Sequence, residues 1–419
     1  MKNARPLIPR RRFVQLGAST AALATVRGAV QQADVLVVGA GASGCNTAWH
    51  LQQAGRRVTV LESGPAPASQ ASKGAAGFVA NWSAIHIPEW GELEWQMQQY
   101  AIDFYTKLAK ECGEDIGFGR VGLAYIYLDP QAWQKLQPRI ETARKLGTKL
   151  EILNARRAAE VLPFLNFKAT AGIAFDPDSI RIRAADAIPC MARVLAKRGV
   201  RFQFNAAVRA FIMEGEKVVG VKTDSTEYRA PSIVVTAGAW SRPLLEKAGA
   251  RCPTTAEAET RYTTKPIAGV PANMPMLIFS DAENVYIREE RGGMLIGGGD
   301  PTPAPKDRLV DPTNPPTVDR IPQVQAHRSR EFIRKLEPVM PLLKHGEVDQ
   351  ITGGVPTYTS DYHFIAGAVP RHAGMYVITG CQEAGVTHGP GLGRIVAELI
   401  TKGRSTWDDT PYRLDRFKA

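Results

Sequence analysis

Gly39, Gly41 and Gly44 stand in the spacing GxGxxG, with Ala42 and Ser43 inside it, and Glu62 follows 23 positions after the first glycine. These residue types at this spacing suit the binding of a dinucleotide. Gly39 lets the chain turn sharply. Gly41 removes a side chain where a pyrophosphate would approach the backbone, and Gly44 lets a helix pack closely on a strand. A helix opening at such a turn offers free N–H groups and a partial positive charge to phosphate oxygens. Glu62 is placed to accept hydrogen bonds from ribose hydroxyls.

The elements around the glycines give the motif its weight. Residues 33–38 (ADVLVV) are apolar at five of six positions and predict a strand buried on both faces. Residues 45–55 predict a helix, and 57–61 predict a second strand that ends at Glu62. Strand, turn, helix, strand and acid occur in the order of a Rossmann-like βαβ unit. Residues 64–77 are then mostly small, and Ser72, Ala76 and Gly77 belong to a loop whose backbone can lie against a flat ring. Phe78, Trp82 and His86 follow, as cavity walls or as core.

Further along, residues 184–198 predict a helix, 200–204 a strand and 208–223 a hairpin around Gly215 that begins at Val208. Residues 232–237 predict a buried strand ending at Gly238. A last strand at 375–380 is followed by an expected loop over 385–393 and a helix over 394–401. Residues 121–128 and 294–298 predict strands of a second sheet, and 300–322, rich in Pro and Asp, predict a long loop. Tyr286 and Arg288 alternate in VYIREE, so they share one strand face. Arg288 suits a bidentate carboxylate contact, or a pairing with Glu289 or Glu290.

Composition sets the outer bounds. The chain has 419 residues, 44% hydrophobic and 22% charged, which fits a two-lobed globular protein and excludes a disordered or collagen-like chain. The net charge of +11 is concentrated at the start: six basic residues and no acid lie in 1–30, leaving 46 Lys+Arg against 41 Asp+Glu in the rest. A body so nearly balanced gives no footprint for nucleic acid. No apolar run approaches the roughly 20 residues of a membrane-spanning helix. Cys45, Cys112, Cys190, Cys252 and Cys381 are odd in number and form no CxxC, so neither a metal site nor a disulfide framework is expected. The leader places Arg10, Arg11 and Arg12 before Phe13 and a weakly apolar, Ala-rich stretch, with Ala22-Leu23-Ala24 as a cleavage signal. These are the parts of an export signal. The paired arginines resemble a twin-arginine signal, which implies folding in the cytoplasm, the Tat machinery as partner and a periplasmic or otherwise exported location.

In order, the chain carries GxGxxG with its acid, a small-residue loop ending Ala-Ala-Gly, VVTAGAWS, YIREERGGMLIGGG, TSDYHFIAG and ITGCQEAGVTHGPGLG. Six motifs in this order resemble the D-amino-acid oxidase superfamily of flavoproteins, which includes sarcosine, glycine and dimethylglycine oxidising enzymes. The resemblance implies an α/β fold: a FAD-binding domain built from 31–90, 174–245 and 348–405, and an α+β substrate domain with a mainly antiparallel sheet from 91–173 and 246–347. Residues 1–30 would be the export signal and 406–419 a tail. It implies FAD held by Gly39, Gly41, Ala42, Ser43, Gly44, Glu62, Ser72, Ala76, Gly77, Val208, Gly238, Gly385, Val386, Thr387 and His388. The loop of Gly385 to His388 would meet the flavin pyrimidine. The reaction implied is oxidation of a CH–NH bond of an amine or N-substituted amino acid, with Tyr286, Arg288 and His388 as catalytic candidates. Oxygen, a quinone or an electron-carrier protein would reoxidise the flavin. Oxidation of a CH–OH substrate and a non-catalytic FAD-fold binding protein are the rival readings.

Two departures from the family refine these expectations. Gly74 stands where the dimethylglycine branch has a flavin-linking His, and Cys381 is not at the linking cysteine's place, so noncovalent FAD is expected. Pro356 stands where amino-acid oxidising members often carry the arginine that holds the substrate carboxylate.

Overall fold

The computed structural model describes residues 31–83, 85, 87–282, 284–298, 308–321 and 333–417. The leader, His86 and the start of the 300–322 loop lie outside the described residues. Runs rich in valine and isoleucine pair into a six-stranded sheet in the order Ile365–Ala368, Met375–Thr379, Ser232–Val235, Val35–Val38, Val58–Leu61, Arg201–Gln203. Every neighbouring pair is parallel except the first. Side chains alternate across a strand, so Val35 and Val37 enter one core while Leu36 and Val38 enter another. The first core is closed by the helices Ala42–Gln53, Glu92–Cys112, Ala184–Lys197 and Gly385–Lys402.

The second sheet has eight strands, ordered Val348–Gly354, Glu259–Thr264, Gly293–Gly297, Val285–Glu290, Met276–Phe279, Leu123–Tyr127, Gly172–Asp176, Glu151–Ile152. Only the pairing of Met276–Phe279 with Leu123–Tyr127 is parallel. The expected α/β lobe and mainly antiparallel lobe are therefore both present.

The expected boundaries need correction. Val348–Gly354 was assigned to the first lobe, but it pairs with Glu259–Thr264 in the second sheet. Gly172–Asp176 straddles the expected boundary at 173/174 and also belongs there. Glu92–Cys112, assigned to the substrate lobe, packs Met97, Ala101 and Tyr105 into the first core.

The expected loop over 385–393 is also wrong, because the helix already begins at Gly385. Its glycines serve close packing rather than turning. A Cβ at Gly389 would lie 2.9 Å from Asn46 Nδ2, and one at Gly393 would lie 2.8 Å from the Thr47 nitrogen, both on the helix Ala42–Gln53. Pro390 cannot donate to the Val386 carbonyl four residues back. The Tyr105 hydroxyl donates to that carbonyl instead, at 3.1 Å.

A further correction concerns the cysteines. Cys112 and Cys190 form a disulfide that joins the C-terminal end of Glu92–Cys112 to the middle of Ala184–Lys197, 78 residues apart in sequence. Cys45, Cys252 and Cys381 are free, the first two of them buried. Among the described residues no helix is long and apolar enough to cross a membrane.

Candidate functional site

A cavity of about 1390 Å³ runs from the glycine turn to the second sheet. It exceeds the ~300–1,000 Å³ typical of drug-sized ligand sites, so it has room for an extended cofactor and a small substrate together. At the glycine turn the backbone does what the motif predicts. Gly39 has φ +107°, and a Cβ there would lie 2.6 Å from the Thr236 carbonyl oxygen. A Cβ at Gly44 would overlap the Gly39 carbonyl, so this glycine sets the helix-to-strand approach. A Cβ at Gly41 would meet only Ser72 Oγ, at 3.1 Å, and would otherwise project into open cavity. Glu62 is 6% exposed. Its carboxylate accepts from the Ala40 and Gly64 N–H groups, each at 2.7 Å, while still lining the cavity. A carboxylate has about four acceptor sites, so Glu62 keeps capacity for ribose hydroxyls.

Gly385, Val386 and Thr387 also line the cavity, as the first turn of Gly385–Lys402. No side chain caps this turn, and the first N–H groups of any helix lack intrahelical partners. The Thr387 hydroxyl donates to the Phe78 carbonyl at 2.7 Å and ties the helix to the small-residue loop. Just before the helix, Gln382 (φ +47°) and Glu383 (φ +61°) occupy the left-handed region. Such residues cost about 1–3 kcal/mol each and concentrate at functional sites. They are held in place because Gln382 donates to the Thr357 carbonyl at 2.9 Å and to Thr359 Oγ1 at 2.8 Å.

The expected cofactor residues converge with two exceptions. Gly39, Gly41, Ala42, Ser43, Glu62, Ser72, Ala76, Gly77, Val208, Gly238, Gly385, Val386 and Thr387 all line the cavity, as do Phe78, Trp82, Tyr286 and Pro356. Gly44 lies just behind the wall and shapes it. His388 does not belong to the wall. It is fully buried, between Trp90 and Phe364 at ring centroid distances of 4.6 Å. Gln98 sits 3.3 Å from its Nε2 and the Ala384 carbonyl 3.3 Å from its Nδ1, so both ring nitrogens are engaged by protein. Position 388 follows 387 by about 100° of helix turn, which carries its side chain into the core.

Arg288 is also placed differently. It is 2% exposed and is not part of the cavity wall. It pairs with Glu290 at 2.6 Å and donates to the Ala76 and Glu289 carbonyls, which makes it a support for the loop. The residues that sequence reasoning missed are Arg261, Glu257, Glu259, Arg308, Tyr358 and Glu383, all on the wall. The Tyr358 hydroxyl donates to Glu383 at 2.5 Å, and Arg308 pairs with Glu259 and, at 3.1 Å, with Glu257. Burial pushes the Tyr358 phenol well above its ordinary range and raises the Glu257 carboxyl. The available signal was the alternation of ETRYTT, which presents Glu259 and Arg261 on one strand face. Among the described residues no cluster of His, Cys, Asp or Glu could hold a metal ion.

A glycine turn, a buried ribose-type carboxylate and two helix N-termini on one large cavity define a two-lobed flavoprotein oxidoreductase. The chain belongs to the DAO family, described as FAD dependent oxidoreductase, which it matches over residues 34–399. It is 26% identical over 390 residues to 4-methylaminobutanoate oxidase (formaldehyde-forming) of Paenarthrobacter nicotinovorans, covering 92% of this chain and 45% of that protein. It is 24% identical over 417 residues to mitochondrial sarcosine dehydrogenase of Homo sapiens, covering 98% of this chain and 44% of that protein. The chain thus spans less than half the length of these two relatives. Its fold matches the crystal structure of L-proline dehydrogenase from P. horikoshii with a TM-score of 0.81 and 21% identity, covering 93% of this chain and 98% of that one. FAD is the cofactor, and the wall described above fits it.

Two outcomes follow from this geometry. Gly41→Val should fold, because a Cβ there approaches only Ser72, yet purify without flavin absorbance; full flavin occupancy would show that the turn does not hold the pyrophosphate. The second concerns pH. Burial lowers the His388 pKa from 6.5 to about 4. Between these values the unfolded chain binds a proton that the folded protein refuses. His388 therefore costs nothing above pH 6.5, and stability is lost as pH falls toward 4. Thermal melts of His388→Gln should fall less steeply than wild type across that window, and parallel curves would exclude this linkage.

Proposed function

We propose that the protein oxidises the CH–N bond of a secondary or tertiary amine, or of an N-substituted amino acid, giving an imine, or an iminium ion from a tertiary amine, that water hydrolyses. The observation that carries this reading is one cavity joining the dinucleotide turn to a wall of Phe78, Trp82, Tyr286 and Tyr358 beside the start of Gly385–Lys402. Bound FAD supplies the two-electron acceptor. The chain's own residues hold and orient. The uncapped N–H groups of Gly385 to Thr387 and the positive end of their helix stabilise negative charge developing beside them. Phe78 and Tyr286, in edge contact at 5.6 Å, narrow the space over the small-residue loop and exclude water. The names of the two amine-oxidising relatives support the same substrate class.

The flavin is held noncovalently in this reading. A Cβ at Gly74 would overlap the Gly353 carbonyl, so the position has no room for a linking side chain. Export through the twin-arginine route is also proposed. The leader carries the signal, and the Cys112–Cys190 bond suits an oxidising compartment. The electron acceptor is oxygen, a quinone or a carrier protein.

The enzymatic reading is tested by adding amines without oxygen. N-methylglycine or a related N-alkyl amino acid should bleach the flavin, and ordinary D-amino acids should do so at least about tenfold less efficiently in kcat/KM. Bleaching by D-amino acids alone would contradict it. Acid should release the yellow cofactor into the supernatant. For export, replacing Arg10 and Arg11 together by Lys should retain folded, FAD-containing protein in the cytoplasm; unchanged appearance outside the inner membrane would refute the route.

A further inference from the structure

We propose that Arg261 binds the carboxylate of the substrate, which makes N-substituted amino acids, rather than simple amines, the substrate class. This rests on the amine reading above and narrows it.

Among the described residues three arginines line the cavity: Arg209, Arg261 and Arg308. Arg209 pairs with Asp224 at 2.9 Å, and Arg308 pairs with Glu257 and Glu259. Behind the wall, Arg288 pairs with Glu290 and Arg181 with Glu289. Arg261 meets no carboxylate among the described residues. Its Nε donates to the Gly74 carbonyl, and its Nη2 lies 3.3 Å from the Ala75 and 3.5 Å from the Lys73 carbonyl oxygens. One edge of the guanidinium is therefore fixed on the small-residue loop, and Nη1 makes no hydrogen bond to it. Desolvation disfavours the Arg261 cation. The nearby Glu290 charge offsets this only in part and is already paired with Arg288 at 2.6 Å, so an anion brought by the substrate removes the remaining cost.

The position explains how the family's usual arrangement is replaced. Pro356 stands where an arginine is expected, just past the strand Val348–Gly354. Arg261 lies on the hydrogen-bonded neighbour of that strand, opposite Thr352. The cation reaches the same cavity wall from one strand over. A planar fork anchored on one edge presents the other for a charge-assisted contact with a carboxylate.

The test uses purified, FAD-loaded protein. Methoxyacetate has the carboxylate but no oxidisable amine, and its binding is read from the flavin absorbance. Arg261→Gln should weaken methoxyacetate binding about a hundredfold, with Arg261→Lys in between. The kcat/KM for N-methylglycine should fall similarly, through KM, and at least about tenfold more than that for N-methylpropylamine, which lacks a carboxylate. A merely structural role would lower both substrates together and would overturn the assignment, as would unchanged methoxyacetate binding in Arg261→Gln. Should the variants not fold, the wild-type protein decides: methoxyacetate should bind about a hundredfold tighter than its methyl ester, and equal binding overturns the clamp. If no amine bleaches the flavin, the amine reading fails, while the methoxyacetate titration still decides Arg261.

Discussion

The absence of side chains between two helices and a strand is the constraint on which the rest of the site depends. The helix Ala42–Gln53 must lie against the turn at Gly39 and also against Gly385–Lys402. Gly44 permits the first contact, and Gly389 and Gly393 permit the second. A methyl group at any of these positions meets backbone or a buried side-chain amide. Parting the helices would move both of their N-termini. Both termini line one cavity, and Gly389, one turn into its helix, lies against Ala42 at the start of the other. Close packing in the core therefore sets the electrostatics of the site.

Such packing leaves polar groups that must be satisfied in the interior. The Val386 carbonyl, orphaned by Pro390, takes the Tyr105 hydroxyl, and the Pro390 carbonyl lies 3.0 Å from His50 Nε2. Gln98 engages His388, and also accepts from the Ser83 N–H at 3.2 Å, near the end of the aromatic segment that follows Phe78. His50 and His388 are both held neutral by burial, each with its pKa near 4. These histidines belong to the architecture beneath the chemistry. In the second lobe the same role falls to Arg288, which with Arg261 fastens the carbonyls of the loop from Lys73 to Ala76.

The βαβ unit was legible because its information is local: glycine spacing, a valine run and a terminal acid lie within thirty positions and answer to one ligand. Residues 385–393 were misread because glycine and proline usually mark turns. Here the glycines answer to a partner helix more than three hundred residues away in sequence, which no local pattern shows. The pairing of Cys112 with Cys190 is hidden in the same way, since each is an ordinary cysteine in a helix and their approach depends on how the two helices pack. His388 was assigned to the cofactor by its neighbours in the motif, but one step along a helix turns a side chain away from its neighbour's face. Arg261 was passed over because a charged residue in an alternating strand reads as solvent-facing. It faces a cavity instead, a distinction that depends on the long-range order of the second sheet.

The central claim is that this cavity holds FAD at the glycine turn and an amino-acid carboxylate at Arg261. A crystal structure of the protein with FAD and methoxyacetate tests it most directly. The account predicts the pyrophosphate against the N–H groups of Gly41 to Ser43, ribose oxygens on Glu62, and the methoxyacetate carboxylate on Arg261. Methoxyacetate density on the far side of the cavity, with Arg261 still bonded only to loop carbonyls, would contradict the clamp. FAD density away from Gly41 and Glu62 would contradict the site itself.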